Sequence, residues 1–153
     1  MVRTGRFFVE GAAEGIALVL AAPLSFWGGV AVESGEIIDR SHPDCGQNVA
    51  GRILVMAGGR GSSSSSSVLA ETIRRGVAPA AIVLGRPDPI LTVGALVARE
   101  LYGLVCPIVV CAVDGVASGD RIRIEAVGAD IAALHIGNPF SPPCGEKVAR
   151  SAG

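Results

Sequence analysis

The chain predicts an α/β fold, a mixed sheet carrying two main helices, and three observations point there. Short apolar runs rich in β-branched residues (52–56, 80–84, 107–113) alternate with segments of helical spacing (68–75, 88–102). Those runs are apolar at nearly every position, as strands covered on both faces require. The first fifty residues carry no helical period, so the order is β-rich first and βαβαβ after.

Residues 6–10 and 15–21 open the chain as two strands. An irregular apolar loop follows through Pro23, Leu24, Ser25, Phe26, Trp27, Gly28 and Gly29, in which Phe26 and Trp27 suit either a core or a contact surface. Segments 30–32 and 36–38 flank Ser34 and Gly35 as a hairpin-like excursion, and 39–48 is polar and turn-rich, so His42 reads as part of a solvated turn. Strand 52–56 then turns through Gly58, Gly59, Arg60 and Gly61 into six serines, Ser62, Ser63, Ser64, Ser65, Ser66 and Ser67, ahead of a helix stopped by Gly76. Strand 80–84 precedes helix 88–102, with Asp88 as its cap, Gly103 as its stop, and Arg86 as part of the turn into it. Strand 107–113 follows. Residues 120–126 alternate strictly and read as a half-exposed strand near a sheet edge. Pro139, Pro142, Pro143 and Gly145 mark 135–153 as a flexible tail.

With 153 residues the chain fits one domain. A net charge of −1 and a pI near 6.1 leave no basic footprint for phosphate, which excludes nucleic acid as a partner. Half the residues are apolar, only 18% are charged, and mean hydropathy is +0.52. That is too apolar a surface for a free monomer, so part of it is expected to be covered by another chain. The uncharged run 15–32 has nearly the length of a membrane span, but Pro23, Ser25, Gly28 and Gly29 interrupt it. Glu10 and Glu14 stand where a signal peptide needs positive charge, so a cytoplasmic protein without membrane contact is expected. Cys45, Cys106, Cys111 and Cys144 form no C-x-x-C pair and no zinc or ferredoxin spacing. Cys106 and Cys111 lie an odd number of positions apart, which puts them on opposite faces of one strand as packing residues.

Chemistry concentrates in the serine turn. A linker has nothing to join there, because the flanking strand and helix form one βα unit. A helix cap accounts for one serine, whereas the unpaired N–H groups of the first helical turn, with Arg60, favour an anion or an ionising hydroxyl. No Gly-x-Ser-x-Gly elbow, hydrolase triad or Gly-Lys-Ser/Thr phosphate loop is present.

Five ordered segments carry a family resemblance: Pro23-Leu-Ser-Phe-Trp-Gly-Gly29, Asp39-Arg-Ser-His-Pro-Asp-Cys-Gly46, Ala50-Gly-Arg-Ile-Leu-Val-Met56, Gly59-Arg-Gly followed by the serine run, and Ala80-Ala-Ile-Val-Leu84. Together they resemble the small subunit, or swivel domain, of aconitase X over residues 5–134, leaving 135–153 uncovered. The resemblance implies a swivelling β/β/α domain that closes over the active site of an aconitase X large subunit and is inactive alone. It implies a hydro-lyase removing a proton and a hydroxyl from adjacent carbons of a small hydroxy acid. An iron or iron–sulfur centre, held mainly by the large subunit, would act on the leaving hydroxyl, with Cys45 a candidate for one added ligand. In the wider aconitase superfamily the serine after the loop glycine is the base, and that position is Ser62. Arg60, Gly61, Ser63 and Ser64 then hold substrate. Ser64 stands where the aconitase motif has an arginine, which leaves Arg60 or the large subunit to supply the charge. The full serine run and Cys45 resemble the bacterial cis-3-hydroxy-L-proline dehydratases. The alternatives are the small subunit of a phosphomevalonate dehydratase, a non-catalytic lid, or a free-standing carboxylate-binding module.

Overall fold

The computed structural model describes residues 1–59 and 62–137. Seven strands and two helices occur there: β1 (Val2–Val9), β2 (Ala13–Val19), β3 (Ile53–Met56), α1 (Ser65–Arg74), β4 (Ala81–Leu84), α2 (Pro89–Tyr102), β5 (Ile108–Val110), β6 (Arg121–Gly128) and β7 (Ile131–Gly137). The expected α/β class with a mixed sheet and two helices is what forms. The sheet closes on itself in the order β1-β5-β4-β3-β2-β6-β7. Strands β2 to β5 run parallel, and β1 and β6 join them antiparallel.

Closure corrects one expectation. β6 is half-exposed but lies at no edge, because β7 pairs with it from Arg121↔Gly137 to Gly128↔Ile131 and also pairs with β1. The pairing takes His135, Ile136 and Gly137 into a strand, although they were expected to begin a flexible tail. The rest of that tail, 138–153, lies outside the described residues.

Two cores follow from alternation along the strands. Ile53 and Val55 of β3, with Val83, Val109, Ile122, Ile124 and Leu134, fill the barrel. Leu54 and Met56 of the same strand face outward onto Leu69 and Ile73 of α1 and Leu91, Ala95 and Ala98 of α2. All four residues of β3 and of β4 are therefore buried, as their continuous apolar runs require. Each such Leu or Ile contributes on the order of 1.5–3 kcal/mol by leaving water. Cys106 joins the outer core and Cys111 packs on the inner one, so the two thiols do face opposite ways. Burial pushes the Cys106 thiol up to about 12, as suits a packing residue.

The helices pack closely because Gly94 of α2 has no side chain, and a Cβ there would stand 2.6 Å from the Ser66 carbonyl oxygen of α1. Helix α2 starts with Asp88, whose Oδ1 accepts from the Ile90 and Leu91 N–H groups at 3.0 and 3.1 Å, followed by Pro89. It ends at Gly103, whose φ of 67° is the left-handed conformation that glycine adopts cheaply.

The irregular segment between β2 and β3 is core-bearing: Leu24, Phe26, Val30, Ile37 and Val49 all join the outer core. Phe26 is fully buried, whereas Trp27 is 59% exposed, so the two aromatics take one role each. Val30 and Ile37 form the expected bridge across the excursion. The apolar composition surfaces on the outer face of α2, where Val93, Val97 and Leu101 recur at helical spacing and stay exposed. Among the described residues no helix is long and apolar enough to cross a membrane.

Candidate functional site

In a parallel sheet the loops after the strands gather at one end, and here that end collects 20–27 after β2, 57–59 and 62–64 after β3, 85–88 after β4 and 111–119 after β5. The serine turn lies in the middle of this group because β3 lies between β2 and β4. A surface pocket of about 320 Å³ between Arg74, Arg75, Pro79, Leu104 and Val105 is at the opposite end of the strands, away from the serine turn.

The serines are not equivalent. Ser65 is buried at 2% exposure, and its Oγ accepts from the Trp27 N–H at 3.1 Å. Ser25 Oγ donates to the Trp27 carbonyl at 3.1 Å, so its own contact with Ser65 Oγ at 3.2 Å must run from Ser65 to Ser25. The result is a closed ring of three hydrogen bonds that fastens the start of α1 to the loop 20–27. Ser66 Oγ donates to the Ser63 carbonyl at 2.9 Å, and the Ser65 N–H donates to the Ser62 carbonyl at 3.0 Å. Ser64 takes the cap position in helical geometry without a side-chain bond, so the run is not a simple hydroxyl cap. Ser62 is half-buried, Ser63 and Ser64 are exposed, and none of their hydroxyls hydrogen-bonds to a described residue. Among the described residues the hydroxyls of the three serines nearest the glycine turn thus have no partner, and they stand by the N-terminus of α1, where the helix dipole favours negative charge.

The glycines admit side chains from the next loop. At Gly58 a Cβ would meet the Arg86 guanidinium at 2.3 Å, and at Gly59 it would meet Asp88 Oδ2 at 2.1 Å. Arg60 and Gly61, both expected to hold substrate, lie outside the described residues.

The polar segment 39–46 is a largely exposed turn, as expected, but His42 within it is not solvated. His42 is 5% exposed, and its Nδ1 accepts from the Asp44 N–H at 3.0 Å, which leaves Nε2 to donate to the Ala22 carbonyl at 2.9 Å. Asp44 in turn accepts from the Ala21 N–H at 2.9 Å. His42 and Asp44 therefore brace the loop that carries Ser25 and Trp27. Cys45 beside them is exposed and free. Among the described residues no group of three or more His, Cys, Asp or Glu is placed to hold a metal ion, so those residues alone do not make an iron site.

A family model described as the aconitase X swivel domain matches residues 2–132, and the chain belongs to that family. The cis-3-hydroxy-L-proline dehydratase of Pseudomonas aeruginosa is 53% identical over 103 residues, 67% of this chain and 18% of that protein. The phosphomevalonate dehydratase small subunit of Methanopyrus kandleri is 49% identical over 88 residues, 58% of this chain and 65% of that one. The crystal structure of Thermococcus kodakaraensis aconitase X in its holo form matches with a TM-score of 0.77 at 32% identity, over 88% of this chain and 98% of that one. The chain thus spans less than a fifth of the hydroxyproline dehydratase and just under two thirds of the small subunit.

Two residues of the site escaped the sequence reading. Ser65 was one of six alike, although Ser65, Leu69, Thr72 and Ile73 share the buried face of α1 at helical spacing. Arg86 was assigned to the start of α2. Its signal is the register Met56↔Leu84, which sets it opposite Gly58 two residues beyond each strand.

Proposed function

We propose that this chain is the swivel subunit of an aconitase X-type dehydratase, with Ser62 as the base that takes the proton from the carbon next to the departing hydroxyl. The observation that carries it is the division within the serine run: Ser65 is consumed by structure, while the half-buried Ser62 has no hydroxyl partner among the described residues ahead of α1. A serine is a weak base while water surrounds it. The helix N-terminus lowers the cost of the alkoxide, and exclusion of water by a covering subunit lowers it further. The exposed Trp27, held beside the serine turn by its own backbone, suits such a covered surface. The partner is thus a large aconitase X subunit. It brings any iron centre, and no step of this chain passes through metal. Exposed Cys45 is a candidate for one further ligand only, tested by the iron content of the Cys45→Ser complex.

The higher identity over the longer match favours cis-3-hydroxy-L-proline as substrate. A phosphorylated mevalonate is the second reading, on the strength of the small-subunit match. Assay of the assembled complex with both substrates separates them. In that complex Ser62→Ala is expected to lower turnover about 100- to 10,000-fold, the range of a lost general base, with assembly and substrate binding retained. Turnover near that of the unmodified complex would contradict the assignment and leave this chain a lid.

A further inference from the structure

We propose that Arg86 holds the carboxylate of the substrate in the site built around Ser62, an assignment that rests on the dehydratase reading. Arg86 stands two residues beyond the end of β4, and the parallel register Met56↔Leu84 brings it against Gly58 at the base of the serine turn. Its guanidinium lies flat on that glycine: Cζ is 2.3 Å, and Nε and Nη2 are 2.6 Å, from where a Cβ would be. The group is therefore held over the turn by the one residue type that leaves it room.

Among the described residues its charge has no partner. Asp88 is the acid next along the loop, but its Oδ1 caps α2 through Ile90 and Leu91 and its Oδ2 points at Gly59. No ion pair or hydrogen bond joins Arg86 to any described residue. Arg3, which also reaches this end of the barrel, is engaged with the Ala112 and Asp114 carbonyls at 2.7 Å each. An exposed guanidinium with free donors, seated on the loop that leads to a base, matches a carboxylate through two parallel N–H···O bonds. Both candidate substrates carry that group. A contact made equally before and during proton removal changes KM and leaves kcat alone.

The test uses the assembled complex with cis-3-hydroxy-L-proline. Arg86→Gln keeps the packing over Gly58 and removes the charge; KM is expected to rise on the order of 10- to 100-fold, the loss of charge-assisted hydrogen bonds, with kcat within about threefold. Arg86→Lys should fall between, and added guanidinium ion should restore part of the loss in Arg86→Gln. Gly58→Ala, which sets a Cβ against Cζ, should raise KM with Arg86 intact, and it carries the test if Arg86→Gln does not assemble. An unchanged KM, or equal impairment in the Gln and Lys variants, overturns the assignment. Turnover by Ser62→Ala overturns the reading beneath it, whereas an inactive Ser62→Ala beside a normal KM in Arg86→Gln overturns the Arg86 assignment alone.

Discussion

Replacing Ser65 by alanine removes the hydroxyl on which the start of α1 hangs. The Trp27 N–H then loses its acceptor and Ser25 Oγ loses its donor, both in a setting where Ser65 is only 2% exposed. The Trp27 amide is part-buried, so losing its partner costs toward the lower end of about 1–3 kcal/mol, and the hydroxyl pair adds roughly 0.5–1.5 kcal/mol. The missing oxygen opens too little space for a further cavity penalty. A net loss of about 2 kcal/mol corresponds to a fall of roughly 4–8 °C in Tm for a chain of this size. The assay is thermal unfolding followed by circular dichroism, with Ser67→Ala beside it. Ser67 is exposed, and its loss is expected to stay within about 0.5 kcal/mol. If Ser65→Ala and Ser67→Ala melt together, the hydrogen-bonded ring does not hold the turn and the division of labour among the serines is wrong.

Gly94→Ala sets two effects against each other: alanine gains about 1 kcal/mol of helix propensity, but its Cβ would stand 2.6 Å from the Ser66 carbonyl oxygen. Overpacking at about 1–3 kcal/mol wins, so the denaturation midpoint should fall, and a rise would contradict the close approach of α1 and α2. Arg74, then Arg75, hold the Glu71 carboxyl at about 2 instead of 4.5 by hydrogen bonds. A carboxyl depressed by folding stabilises above its unfolded value and loses that contribution as pH falls through the folded one. Glu71→Gln should therefore be less stable than the parent at pH 6, with the gap closing between about pH 4.5 and 2. The gap should be modest, since all three side chains are solvated, and a gap that persists at pH 2 would refute the pairing.

What was legible in the chain was what local patterning dictates. Ile53–Met56 and Ala81–Leu84 announce themselves as strands buried on both sides, and Asp88, Pro89 and Gly103 bound α2 by caps that act within a few residues. What was illegible depends on distant pairing. The segment Ile131–Gly137 has no alternation to mark it, and it becomes a strand because β1 and β6 both offer it free backbone groups. His42, flanked by Pro43 and charged residues, looks solvated until the Ala22 carbonyl, twenty residues away, takes its Nε2 hydrogen. Ser62 could be singled out only through the family pattern, since nothing local distinguishes six serines. The parallel pairing of β3 with β4 is what sets Arg86 on the glycine turn.

The most direct test of the Ser62 assignment is a structure of the assembled complex with substrate or a slow analogue bound. Ser62 Oγ is expected about 3 Å from the carbon that loses its proton, the near-attack distance, with water excluded around it. Ser63, Ser64 or a side chain of the large subunit in that place, with Ser62 turned away, would contradict it.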